Sequence, residues 1–254
     1  MRRRTHAEAD SHRREFLKAA AAITALPLLG SQVQGVLRRR LAFAEDPFSL
    51  GVSSGDPAPD GFVIQTRLAP DPIAGGGMPA ENVEVRFEIA TDAAMKKVVR
   101  RGLGVATPQL GHSVHVELRG LEPDRWYWYR FTAGDAQSRI GRARTTPRDA
   151  TLAEELNFVF VSCQHYEHGL FTGFEHMARE ELDLIVHLGD YIYEYKGIDG
   201  KVRKHSGPEI TTLEHYRNRY AQYQSDPLLQ AAHAHCPWLV TWDDHEVDND
   251  YATF

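Results

Sequence analysis

The sequence predicts two joined bodies behind an N-terminal leader: an all-β sandwich, and then an α/β domain that is incomplete. Three observations predict this. Short alternating runs broken by turn residues occupy about 100 residues after the leader. Continuous apolar runs alternating with helical segments come next. After Val240-Thr241-Trp242 no further strand is left to complete a sheet, so the chain reads as an N-terminal portion. A length of 254 residues, 42% hydrophobic and 25% charged, suits a globular protein and excludes a disordered or fibrous one.

Residues 1–44 read as an address. They hold nine Lys/Arg against three Asp/Glu, a balance of +6. Arg13-Arg14-Glu15-Phe16-Leu17-Lys18 is a twin-arginine pair, and a run of small apolar residues follows from Ala19 to Leu29. That run is too short to cross a bilayer, which takes about 20 apolar residues. Ala42-Phe43-Ala44 is a small-x-small cleavage site. The segment resembles a Tat export signal, departing from it only in His12, which stands between Ser11 and the arginine pair. The resemblance implies a passing partnership with the Tat translocase, a periplasmic or extracellular cell-wall location, and no membrane span after cleavage. The other 210 residues hold 20 basic and 32 acidic side chains. A body so acidic argues against generic nucleic-acid binding, which wants a basic footprint.

Residues 45–147 form the expected sandwich. Phe62–Arg67, Val83–Ile89, Ser113–Leu118 and Tyr127–Phe131 alternate with strand periodicity. Asp56-Pro57-Ala58-Pro59-Asp60-Gly61 and Gly75-Gly76-Gly77 supply turns. Gly120-Leu121-Glu122-Pro123 before Tyr127-Trp128-Tyr129-Arg130-Phe131 resembles the corner of fibronectin type III-like sandwiches, where a tyrosine ties the corner to a strand. The aromatic cluster reads as core, not as a ligand platform.

Residues 148–254 form the expected α/β body. Leu156–Ser162 is an apolar run suited to a strand buried on both faces, and Leu182–Leu188 is another. Thr172-x-x-Glu175 predicts a capped helix to about Glu181, and Thr211-x-x-Glu214 a second. Ser225-Asp226-Pro227 opens a third, with proline at a tolerated first position. Pro237–Trp242 is the last strand. Ligands of open α/β sheets bind beyond the carboxyl ends of the strands. Cys163 follows the first strand, Gly189-Asp190-Tyr191-Ile192-Tyr193 the second, and Asp243-Asp244-His245-Glu246 the third. Two carboxylates and a phenol are hard donors, suited to ferric or oxygen-preferring divalent ions. Crowded carboxylates also call for neutralising cations. With only two cysteines, a four-cysteine zinc site is excluded, though pairing of Cys163 with Cys236 in an exported chain stays open. His165, His168, His176, His205, His215, His233 and His235 read as surface or packing residues. Arg217 and Arg219 read as a solvated helix face.

Gly189-Asp190-x-x-Tyr193 resembles the second metal motif of calcineurin-like metallophosphoesterases. Ser162-Cys163-Gln164, His187 to Tyr195, and Thr241 to Val247 resemble more closely the PhoD-like alkaline phosphatases and phosphodiesterases. So do Ser54-Gly55-Asp56-Pro57 and Thr66-Arg67-Leu68-Ala69-Pro70 in the sandwich. The resemblance implies a metallophosphoesterase domain acting on phosphate monoesters or diesters through a hydroxide activated by two metals. It implies ferric iron (Fe3+) on Cys163, Asp190 and Tyr193, calcium (Ca2+) as the second metal bridged by Asp190, and Asp244 where relatives place an asparagine ligand. His245 is the implied contact to phosphate or proton donor to the leaving group. Asp243 and Glu246 are expected to orient the site. Family members carry further ligands in a later Gly-Asp-x-His segment, so the 254-residue chain is expected to have little activity by itself. The competing reading is a cell-surface binding module whose working part is the sandwich, with a vestigial α/β remnant.

Overall fold

The computed structural model describes residues 42–251, so nearly all of the export-signal reading lies outside the described residues. Eleven strands and three helices are described: β1 Val52–Ala58, β2 Gly61–Arg67, β3 Val83–Ala90, β4 Val98–Ala106, β5 Ser113–Leu118, β6 Trp126–Ala133, β7 Ala136–Gln137, β8 Gly141–Arg144, β9 Phe158–Val161, α1 Thr172–Met177, β10 Leu184–His187, α2 Leu213–Gln224, α3 Pro227–His235 and β11 Trp238–Val240.

The first eight strands divide between two sheets that share one core. Strands β5, β2 and β1 are antiparallel neighbours in one sheet; β4, β3, β6 and β7 follow in order in the other, with β8 also on β6. Alternation puts Val52, Phe62, Ile64 and Val114 of the first sheet against Val85, Ile89, Tyr129 and Phe131 of the second. The aromatic cluster is therefore core, as its period-2 spacing predicts. The corner also forms: the Tyr127 hydroxyl accepts from the Glu122 N–H (2.9 Å) and donates to the Glu122 carbonyl (3.3 Å). Strands β1, β4, β7 and β8 were not among the sequence expectations. Gly102, Gly104 and the Arg100-Arg101 pair hide the alternation of β4, and β1 carries the Asp56-Pro57 pair read as a turn, accommodated by an irregularity between Gly55 and Ala58.

The boundary near Pro147 does not interrupt the first sheet. Strands β9, β10 and β11 are parallel to one another, and β11 lies alongside β1 in parallel, joined at Gly55 and Trp238. The result is a six-stranded mixed sheet in the order β5-β2-β1-β11-β10-β9. Gly55 is what permits the seam: a Cβ there would sit 2.9 Å from the Trp238 carbonyl oxygen.

Two helix starts differ from expectation. Thr172 lies inside α1, whose N-cap is Phe171 with no side-chain bond, and the helix stops at Met177. The cap of α2 is Thr212, one residue later than expected, whose Oγ1 accepts from the His215 N–H (3.2 Å). The start of α3 is as the sequence predicts: Asp226 Oδ1 accepts from Leu228 and Leu229 N–H, and Pro227 occupies the first turn. On one side of β9–β11, Ile185 and Trp238 pack with Phe174 of α1, Tyr223 of α2 and Leu229 of α3. The opposite face is bare among the described residues: Phe158, Phe160 and Leu239 are 52%, 68% and 39% exposed. The expectation of a strand buried on both faces is thus corrected for β9, because the helices cover one side only.

Candidate metal centre

Because β9, β10 and β11 run parallel, their carboxyl ends open on one edge, and backbone bonds stitch the three loops leaving it. Cys163 N–H donates to the Gly189 carbonyl (3.1 Å), Gln164 N–H to that of Asp190 (3.2 Å), and Thr241 N–H to that of His187 (3.0 Å). Cys163 and Asp190 both have positive φ, 57° and 55°, a region costly for residues with a Cβ and often held at functional sites. Gly189 between them has φ 105°, and a Cβ on it would lie 2.5 Å from that of Asp243. Only glycine lets the loop after β10 pass so close to the loop after β11.

Ligand atoms of Asp190, Asp244 and His245 lie within 4.8 Å of one another. Asp190 is buried, its Oδ2 accepts from the Tyr193 hydroxyl (3.2 Å), and its Oδ1 is buried with no hydrogen-bond partner. Burial pushes the Asp190 carboxyl up; the neighbouring Cys163 thiol, His245 and Tyr193 hydroxyl oppose this. Tyr193 is driven far above the usual phenol range by burial and by the adjoining Asp190 and Cys163. Asp244 is held low, chiefly by the Asp250 N–H, which reaches its Oδ2 at 2.5 Å. All five residues expected at the site therefore gather, with the exposed Cys163 thiol at the side of Asp190 and Tyr193. Cys163 and Cys236 are both free thiols, and burial pushes Cys236 up to about 12.

This donor set fits a hard cation. An orphaned, buried carboxylate oxygen beside a second carboxylate, an imidazole and a phenol is unfavourable without positive charge and well suited to holding it.

Other groups hold the donors in place. The Glu246 carboxylate accepts from Asp190 N–H (3.1 Å), Asp243 N–H (2.8 Å) and Tyr191 N–H, so one side chain clamps two strand-end loops. His245 Nδ1 lies 2.8 Å from Glu194 Oε2, and Glu194 Oε1 accepts from Asn249 N–H (3.1 Å). With the carboxylate as acceptor, Nδ1 carries the proton and Nε2 is left for the cluster. Sequence reasoning missed Glu194; the signal was its position next to Tyr193, an acid at a turn flanked by aromatics. Arg219 is not on a solvated face: it is 2% exposed and donates to the carbonyls of Tyr193, Tyr195 (2.9 Å), Ser206 and Pro208. It shapes the loop that carries Tyr193. Arg217 is spent on the Gln109 carbonyl. His187 is interior but only half satisfied: Nδ1 accepts from Gly189 N–H (3.3 Å) and Nε2 has no partner.

Comparison with known proteins agrees over both halves. The family descriptions "PhoD-like phosphatase" and "PhoD-like phosphatase, N-terminal domain" match residues 158–253 and 34–147. Alkaline phosphatase D of Bacillus subtilis (strain 168) is 50% identical over 249 residues, 94% of this chain and 43% of its own length. The solved structure titled "Structure of PhoD" matches with a TM-score of 0.82 at 53% identity, over 84% of this chain and 42% of its own. Fold and relatives together define the class by family, that of the PhoD-like phosphatases. The chain belongs to the PhoD-like phosphatase family, and it spans less than half the length of these relatives.

Proposed function

We propose that the strand-end cluster binds metal ions and that the chain's chemistry is metal-dependent hydrolysis of phosphate esters, monoesters or diesters. The observation that carries this is the buried, unpartnered Oδ1 of Asp190 within reach of Asp244 and His245. Asp190, Tyr193 and Cys163 would hold ferric iron, and Asp190 with Asp244 a second ion, calcium. Bound there, such ions supply positive charge that neutralises phosphoryl oxygens and acidifies water. The chain's own residues do the rest. His245, held by Glu194 through Nδ1, presents Nε2 to the cluster; in its doubly protonated form it would pass the Nε2 proton to the departing alkoxide. Glu246 keeps the two loops in register, and Cys163, beside Asp190, adds a softer donor to one side only.

Four donor residues do not satisfy two such ions, since calcium alone takes about six to eight oxygens. The 254-residue chain is therefore expected to bind one ion well and to turn over little. Titrating purified chain with ferric and calcium ions, then assaying a chromogenic phosphate ester with and without chelator, tests this. Asp190→Asn should weaken binding at least tenfold. Turnover that a chelator leaves untouched would overturn the metal reading, and brisk metal-dependent turnover would overturn the ligand shortfall. A Tat-exported, extracytoplasmic location and a fibronectin type III-like N-terminal half complete the reading. The export part is tested by replacing Arg13 and Arg14 with lysines and following the cellular fraction that retains the protein.

A further inference from the structure

Tyr193 is buried, and its ring packs against two imidazoles. The centroid of His165 is 4.2 Å away with the planes at 45°, and that of His245 is 4.1 Å away at 34°. His165 is itself backed by His168, whose ring is 3.9 Å away and within 9° of parallel, and it faces His205 at 5.3 Å. Its rotation is fixed by Nδ1, which accepts from the Glu167 N–H (3.3 Å). The Glu167 carboxylate in turn is anchored by the N–H groups of Ile198 (2.8 Å) and His205 (3.0 Å). A chain of contacts thus runs from the 196–205 loop through His165 to the Tyr193 ring. The second ring against Tyr193 is His245, which Glu194 fixes.

A phenol has one torsion that swings its oxygen across an arc of several ångströms, and its bond to Asp190 Oδ2 is long, 3.2 Å. One such bond does not hold a ring; planar neighbours packed against it do. We propose that His165 is a positioning residue: its imidazole braces the Tyr193 ring so that the phenol oxygen stays beside Asp190 and is presented to the ion of this cluster. The role lies in the flat ring, not in a ring nitrogen. The inference rests on Tyr193 being a metal donor, as proposed above.

The test is ferric titration of the full 254-residue chain, followed by the visible absorption band that a phenolate gives when it binds ferric iron, and by affinity in competition with a chelator. His165→Ala should weaken ferric affinity on the order of tenfold, the usual scale for a lost supporting partner, and should weaken and shift the band. His165→Leu, which keeps bulk but not flatness, should behave like alanine and guards against a simple packing failure. His165→Phe should restore most of both signals. Tyr193→Phe should abolish the band. If Tyr193→Phe loses the band while His165→Ala and His165→Leu keep band and affinity, the bracing role is wrong and the metal reading stands. If His165→Phe is as defective as His165→Ala, a ring nitrogen is at work and the proposal fails. A band absent from the unaltered chain, or unchanged in Tyr193→Phe, removes Tyr193 as a donor and the proposal with it.

Discussion

Asp190 bears the conflict on which the site is built. Its carboxyl is buried, its backbone sits at φ 55°, and one oxygen has no partner. Each of these opposes folding, and all three serve a bound cation. Asp190→Asn removes the buried charge at nearly constant shape, so it should raise the thermal midpoint of metal-free chain at pH 7.5 by a few degrees while cutting metal affinity at least tenfold. Parallel melts and titrations measure both. A variant that loses stability together with affinity would show that the carboxylate is structural. The gathering of Cys163, Asp190, Tyr193, Asp244 and His245 was legible because each directly follows a strand of one parallel set, and parallel strands deliver their ends to one edge. Glu194 and His165 were not legible. Their roles depend on which rings and acids the 194–205 segment brings back over the site, and nothing in local periodicity encodes that return.

At the scale of elements, the seam between β1 and β11 decides how the two halves are coupled. It rests on one register pair, Gly55 with Trp238. Gly55→Ala places a methyl group against a backbone oxygen that cannot rotate away, so β1 and β11 must separate. The expected loss is about 1–3 kcal/mol, typical of overpacking, read as a lower urea midpoint. It should be accompanied by weaker metal binding, because the loop leaving β11 carries Asp244 and His245. An unchanged midpoint would mean that the seam contributes nothing. Sequence reading found the strands with strict alternation, such as β3 and β6, but not the shared sheet. A parallel pairing across some 180 residues leaves no local trace; its one mark is a glycine, in a segment that reads equally well as a turn. The caps of α1 and α2 went astray for a related reason. Thr172-x-x-Glu175 fits a capping box, yet the chain entering α1 is fixed by Phe171, which packs on Phe174 at 5.6 Å between ring centroids, and packing outweighs a cap worth about 1 kcal/mol.

Across the whole molecule, stability depends on how much of the interior is polar and how little of the β9–β11 sheet is covered. Among the described residues nothing covers one face of that sheet, so the helix-covered side carries a disproportionate share of the core in this half. Within that side lie ionisable rings. His187 and His205 are 0% and 2% exposed, and each is pushed down to about 4: His187 by burial, against the pull of Glu246, and His205 by burial and by Arg219, against the pull of Glu167. An unfolded histidine takes up its proton near pH 6.5. Between that value and about 4 the unfolded chain therefore binds more protons than the folded one, and stability falls as the pH falls. The contribution is intact above pH 6.5 and is lost progressively through the window. At about 1.4 kcal/mol per unit of depression, the two rings together remove several kcal/mol, a large part of the roughly 5–15 kcal/mol by which domains are stable. His165, pushed down to about 4, and His233, pushed down to about 3, both chiefly by burial, act in the same sense, while Asp190, raised by burial, works in the opposite one. The urea midpoint of metal-free chain should accordingly drop steeply from pH 7 to pH 5, and His205→Gln should remove about a quarter of that slope, as one ring of four. A midpoint flat across the same interval would mean that these rings exchange protons with solvent in the folded state and that the interior around the site is wetter than its geometry implies.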